Sequence, residues 1–199
     1  MIEEFEISDL SVLELSESDS AIIDVALDLM NRTQGQGLFG DSYLRKKISR
    51  SDAAVFIGRI GDEFVAVGCV EVIEDFGYYK PFDPNIAGTL QGKKVGSLCC
   101  LSVREELQGK GIGQALTKCR LRWLTAQGCD FALGVSWLSS LAHTSKRLFE
   151  KQGFEAMGEV EEFYKQDAIK HPFDCPGCQR QPCECSAILF GYDLEANQT

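Results

Sequence analysis

Long apolar runs are missing from this chain of 199 residues. None approaches the roughly 20 residues that a membrane span needs, so no membrane partner is expected. The opening stretch MIEEFEISD is acidic and lacks the basic-then-apolar layout of a secretory signal, which makes a cytoplasmic location the expectation. Basic charge is scarce as well. Twenty Lys and Arg stand against thirty Asp and Glu, a net charge of −10. A protein that grips nucleic acid by its phosphates needs the reverse balance, so no nucleic-acid partner is expected. An acidic surface suits a cationic partner such as an amine or a basic peptide, and it also serves solubility alone. No segment of the chain repeats another.

Glycine, by contrast, is concentrated. In Leu101 to Leu116, LSVREELQGKGIGQAL, an apolar strand end turns polar at Arg104, and Gly109, Gly111 and Gly113 open an amphipathic helix. Glycines leave backbone N–H groups open to a bulky anion. The first N–H groups of a helix lack internal partners, and the helix dipole adds positive charge there. Gln108 to Gln114 therefore forms a phosphate cradle. Its spacing is not GxGxxG and it lacks a closing GK[ST], so neither nucleotide reading fits it.

The rest of the chain alternates strands and helices. Residues 5–15 alternate as a first strand. Residues 20–32 carry an apolar face of Ile22, Ile23, Ala26, Leu27, Leu29 and Met30, as an amphipathic helix does. A short helix over 41–49 follows a glycine-rich loop. Strands at 53–60 and 63–73 flank Gly61-Asp62, a two-residue hairpin turn. Residues 74–94 form a long loop whose Phe76, Tyr78, Tyr79 and Phe82 either line an acceptor pocket or pack onto the core. Val95–Val103 is apolar on both faces, as a central strand is. In the next helix Ile112, Ala115, Leu116, Cys119 and Trp123 recur at helical spacing, with Lys118, Arg120 and Arg122 on the outer side, and Gly128 ends it. A strand at 130–136, a helix at 139–152, a long strand FEAMGEVEEFYKQ and a last strand at 186–194 complete the order. A helix between two strands implies a parallel crossover, and hairpins imply antiparallel pairing. The expected fold is α/β: a mixed, mostly antiparallel, twisted sheet with helices on both faces.

Two motifs resemble the GCN5-related N-acetyltransferase (GNAT) superfamily. Gln108-x-x-Gly111-x-Gly113 matches its pyrophosphate signature, [Gln/Arg]-x-x-Gly-x-[Gly/Ala]. Leu148, Glu150, Lys151, Gly153 and Phe154 match its Leu-Tyr-Glu-Lys-x-Gly-Phe segment. The resemblance implies an acyl-CoA N-acyltransferase fold in one domain over 1–199. It also implies acetyl-CoA as co-substrate and an amine as acceptor. Gln108, Gly109, Lys110, Gly111, Ile112, Gly113 and Gln114 would hold the pyrophosphate. Leu101, Ser102 and Val103 would pair with pantetheine and polarise the acetyl carbonyl.

Two departures matter. The family's tyrosine, often the acid that reprotonates the CoA thiolate, is Phe149, which has no proton to give. The family's asparagine falls at Ala142, beside His143, and the glutamate base of the histone-acetylating branch falls at Ser97. Glu71, Ser97 through a water, His143 and Tyr164 stay open as groups that could take the ammonium proton. A catalytically silent acyl-CoA-binding module is the alternative. The acceptor stays open among polyamines, antibiotics, amino acids and protein N-termini.

Nine cysteines complete the inventory. Cys69, Cys99, Cys100, Cys119 and Cys129 lie in apolar stretches, where a free thiol acts as a small hydrophobe. Cys175, Cys178, Cys183 and Cys185 crowd into HPFDCPGCQRQPCEC. Tight clustering favours a metal site over a disulfide framework. Four thiolates suit structural Zn2+ in a knuckle over 171–186, inserted between the last two strands. An iron–sulfur cluster and free thiols remain open, and His171 is not needed as a ligand. Such a knuckle could stiffen the acceptor side or dock a protein partner, and a homodimer is likewise open.

Overall fold

The structure is a computed structural model and describes residues 6–139 and 145–196. Seven strands form one sheet in the order β1-β2-β3-β4-β5-β7-β6. The strands are β1 (Leu10–Glu14), β2 (Ala53–Ile60), β3 (Glu63–Ile73), β4 (Val95–Val103), β5 (Phe131–Leu138), β6 (Glu155–Val160) and β7 (Ser186–Asp193). Every neighbouring pair is antiparallel except β4 with β5. Between those two runs α4 (Ile112–Ala126), the crossover that a parallel pair requires. Among the described residues no helix is long and apolar enough to cross a membrane.

Helices cover both faces. On one, α1 (Ser20–Gln34) and α2 (Tyr43–Ile48) press Ile23, Met30 and Leu44 against Val55, Ile57 and Val67. On the other, α4 and α5 (Ser145–Lys151) bring Leu121, Leu124 and Phe149 against Phe56, Leu98 and Phe190. The long loop 74–94 carries a turn at Gly77–Tyr79 and a short α3 (Ile86–Thr89). Its Tyr79, Ile86 and Leu90 pack on Val95, Leu133 and Leu189.

The central strand contains the feature that shapes the site. Cys69 pairs with Cys100, but Glu71 pairs with Ser97. Two residues of β4, Leu98 and Cys99, thus oppose Val70 alone, which is a β-bulge. The alternation of faces changes phase there. Gly96 and Leu98 meet the α4 side, while Cys99 and Cys100 both pack with the α1 cluster. Leu101 and Val103 then return to the α4 side. Pairing of β4 with β5 stops at Leu98–Gly134, so the two strands part just where the bulge lies.

Several expectations need correction. The first strand is shorter than 5–15, because Ile7–Asp9 forms a 3-10 turn held by Glu6 N–H on Asp9 Oδ2 at 2.9 Å. The long strand from Phe154 breaks after Val160. Glu162 takes φ 51°, the Phe163 ring packs on Tyr78 and Phe82, and α6 (Lys165–Lys170) follows. Tyr164 therefore caps a helix and is not on a strand.

Arg120 is not on the outer side of α4. It is 1% exposed, and the buried stripe is Ile112, Leu116, Thr117, Arg120, Leu121 and Leu124, with Cys119 and Trp123 only partly covered. The physical reason is the bulge. Arg120 Nη1 donates to the Cys69 carbonyl at 3.2 Å and the Cys100 carbonyl at 2.9 Å. Gly68 leaves the space that its side chain fills, with Nε 3.2 Å from where a Cβ would stand. Burial lowers the Arg120 pKa, although the neighbouring cysteines oppose that effect.

Candidate active site

A cleft of about 830 Å3 opens where β4 and β5 part. Its floor is Leu98 to Val103 on β4, with Val135 and Trp137 on β5 across the gap. Among the described residues no strand pairs with β4 on this edge beyond Leu98, and side chains take up the freed carbonyls. Gln34 Nε2 donates to Leu101 O at 3.3 Å and to Ser102 Oγ at 2.7 Å. Gln108 Nε2 donates to Val103 O at 3.1 Å. The Gln108 side chain therefore anchors the glycine loop to the strand end.

The loop then delivers the start of α4 to the same edge. Gly109 (φ 77°) and Gly111 (φ 92°) occupy the left-handed region, which side chains resist. Gly111 is the N-cap and accepts the first helical bond from Ala115 N–H at 3.1 Å. The N–H groups that follow Gly111 have no partner inside the helix. Ile112 turns its side chain into the core, so its contribution to the cradle is backbone. The Gln152 side chain of the α5 end donates to Gln114 O at 3.2 Å, holding the segment 148–154 against the cradle.

On the α1 face a polar cluster meets the bulge. Glu71 Oε2 accepts from Lys47 Nζ and Arg50 Nη1, each at 2.9 Å. Glu71 Oε1 accepts from the Cys99 thiol at 3.2 Å. Lys47 Nζ also lies 3.5 Å from Cys99 Sγ. Burial would raise the Glu71 pKa, but the Lys47 hydrogen bond and charge, with Cys99 and Arg50, outweigh it and hold the carboxyl below its ordinary value. Burial pushes the Cys99 thiol up to about 12. Ser97, cross-strand from Glu71, accepts from the Tyr79 hydroxyl at 2.7 Å. Burial raises Tyr79 above the usual phenol range, with the Ser97 bond opposing.

Glu71, Ser97 and Tyr164 thus line one cleft. His143 and Ala142 lie outside the described residues. Phe149 is 4% exposed, ringed by Phe154 and Phe190 and lying over Gly134, where a Cβ would be 2.5 Å from it. Its place in the core explains why a phenyl ring is suited to that position. The long loop's aromatics divide. Tyr79 is buried with its hydroxyl in the site, Phe76 and Phe82 pack on the core, and Tyr78 lines the cleft while half exposed. Lys47, Cys99 and Arg120 were not among the sequence candidates, because only the register and the bulge bring them to this point.

The four C-terminal cysteines come together between α6 and β7. Their sulfur atoms all lie within 4.8 Å of one another, with Cys175–Cys185 and Cys178–Cys183 each at 3.8 Å. Burial would raise Cys178, but N–H donors from Glu184 and Arg180 outweigh it and bring its thiol down to about 7. The set could hold a metal ion.

A mostly antiparallel sheet parted at one parallel pair, with a glycine-capped helix at the parting, defines a class of acyl-transfer folds, and solved structures bear this out. The ribosomal-protein-S18-alanine N-acetyltransferase of Escherichia coli is similar at TM-score 0.63 and 13% identity, covering 93% of this chain and 94% of that one. A GNAT family acetyltransferase from Elizabethkingia anophelis, solved with acetyl-CoA bound, gives 0.62 and 14%, with 93% and 98% covered. Arabidopsis thaliana NAA60 in complex with acetyl-CoA gives 0.65 and 12%, with 94% and 99% covered. At these identities the likeness shows the fold. No curated protein matches the chain by sequence. The family model described as "Acetyltransferase (GNAT) family" matches residues 24–154, and the chain belongs to that family.

Proposed function

We propose that the protein is an N-acetyltransferase that moves an acetyl group from acetyl-CoA to a primary amine. The observation that carries this reading is the unpaired edge of β4 beyond Leu98, in line with the glycine cradle. The pantetheine amides would take the place of a β5 neighbour along Leu101, Ser102 and Val103, displacing Gln34 from the Leu101 carbonyl. The pyrophosphate would lie on the N–H groups of Gly109 to Gln114, Lys110 adding its charge nearby. A peptide N–H beside the bulge would polarise the thioester carbonyl.

The amine would enter from the α1 face. Tyr43, Tyr78, Tyr164 and Trp137 line that side together with Glu71, Asp75 and Asp167. Aromatic faces and carboxylates both attract a cation, so the acceptor class is a cationic amine or the N-terminus of a peptide. Ser97 and Cys99 connect the reacting end to Glu71, and we assign Glu71 as the group that draws the ammonium proton away through them. A positioned base is worth about 10²–10⁴ in rate, and holding the reactants together supplies the larger share.

We also assign one Zn2+ to Cys175, Cys178, Cys183 and Cys185. Thiolates about 2.3 Å from a tetrahedral ion sit roughly 3.8 Å apart, as Cys175 with Cys185 and Cys178 with Cys183 do. An iron–sulfur cluster would spread the four sulfurs over several irons, so their closeness favours a single ion.

Calorimetry with acetyl-CoA tests the donor half, and thiol release with a panel of cationic amines and peptides tests transfer. Lack of acetyl-CoA binding up to about 1 mM would remove the reading, since KM values fall below that. Phe149, which has no proton to give where the family has a tyrosine, favours one other reading, an acyl-CoA-binding module without transfer. Turnover with any amine rejects it.

A further inference from the structure

The cysteine knuckle shares a wall with the acceptor side of the cleft. A small cavity of about 50 Å3 is bounded by Cys175 and Cys183 on one side. Its other lining residues, Gln34, Leu38, Trp137, Tyr164 and Phe173, also line the main cleft. A single layer of side chains therefore separates the sulfurs from the acceptor space.

That layer is held by the knuckle. The Trp137 ring lies on Gly177, where a Cβ would come within 2.4 Å of it, and its indole N–H donates to Cys185. Tyr164 and Trp137 pack in one apolar group with Ala168, Phe173 and the cysteines. Gln36 and Asp174 exchange two backbone hydrogen bonds, of 3.1 and 2.9 Å, forming an isolated antiparallel bridge. Gly35 sits against the Phe173 ring, with no room for a Cβ at 2.7 Å. The next residue back is Gln34, which reaches the Leu101 carbonyl. The cradle is fixed by other parts of the molecule: Val103, Leu148 and Gln152.

We propose that the ion in the knuckle is a structural element of the acceptor pocket. It fixes Trp137, Tyr164 and the Gly35–Gln36 turn, so that its loss loosens the acceptor wall and leaves the pyrophosphate cradle in place. The proposal rests on the zinc assignment above. It makes metal content a control on acceptor capture that acts separately from CoA binding.

The test compares the full-length protein loaded with zinc, exchanged to cobalt(II), or stripped by a chelator. Metal analysis comes first. Protein that neither carries nor binds an ion removes the zinc assignment itself, and the proposal with it. With the ion bound, a Trp123→Phe variant leaves Trp137 as the sole tryptophan of two, and cobalt(II) should quench its emission. Hydrogen exchange then locates the effect. On stripping, the amides of Gln36 and Asp174 and the segment 135–138 should exchange about tenfold faster or more, with 108–116 unchanged. The acetyl-CoA Kd should stay within about twofold of the loaded protein's. A Cys178→Ser variant should reproduce the stripped pattern. The proposal is overturned if the ion binds but exchange at 34–36, 135–138 and 174 does not change. It is equally overturned if all segments accelerate together, which would make the ion a support of the whole fold.

Discussion

Glu71 receives three donors, Lys47 and Arg50 on one oxygen and the Cys99 thiol on the other. Removing one member of a buried pair leaves the other charge uncompensated. Lys47 has a side chain only 8% exposed, so Glu71→Gln should cost about 3 kcal/mol in urea unfolding near neutral pH. The sign of the pH dependence follows from the pKa shift. The folded-state carboxyl lies below its ordinary value of 4.5, so its stabilisation is present above that value and lost as pH falls through the folded pKa. The gap between wild type and variant should narrow as pH drops from about 6 to about 3.5. A constant gap would show that the ion pair is not its source. None of this was legible in the sequence, where Glu71 and Lys47 stand 24 positions apart and only strand register brings them together. Arg120 was misplaced for a related reason. Its charge argued for solvent, and the carbonyls that accept from it are set apart by a bulge that no local pattern announces.

Elements with a local chemical cause were the ones the sequence disclosed. The glycine cradle, the α1 stripe and the cysteine knuckle each lie within a few dozen consecutive residues, so spacing alone defines them. The break after Val160 was hidden, because Phe163 and Tyr164 are residues that strands favour, while Phe163 is drawn onto Tyr78 and Phe82. The cradle gives a test at this scale. A Cβ on Gly111 has room, with Ile7 Cδ1 nearest at 3.5 Å, so the cost of Gly111→Ala is in its backbone, held at φ 92°. A left-handed residue with a side chain costs about 1–2 kcal/mol. Calorimetry should show acetyl-CoA binding weakened about tenfold, with a loss of fold stability near 1 kcal/mol. Unchanged affinity would place the pyrophosphate elsewhere.

For the molecule as a whole, two short motifs, at 108–113 and 148–154, carried the family reading, and residues 24–154 match that family. A ligand that joins β4 to the start of α4 ties the parted edge of the sheet to the helix that crosses over it. Acetyl-CoA at about 100 times its Kd should contribute about 2.7 kcal/mol, which raises the midpoint of a chain this size by about 5–10 °C. Scanning fluorimetry reads this directly, and no shift would leave the cleft without its expected occupant. The bulge at Leu98–Cys99 has a consequence of another kind, at the level of the gene. Deleting a single codon there would restore simple alternation and leave every later residue of β4 on the side it now faces, whereas flattening the bulge without a deletion would turn each of them over. In the flattened strand Ser102 would turn to the α4 core and Leu101 toward Thr33. Any comparison that aligns β4 without a gap to a strand of regular pleat assigns its last residues to the wrong face of the sheet. A graft of this cleft into another scaffold therefore has to carry one residue more than the strand it replaces.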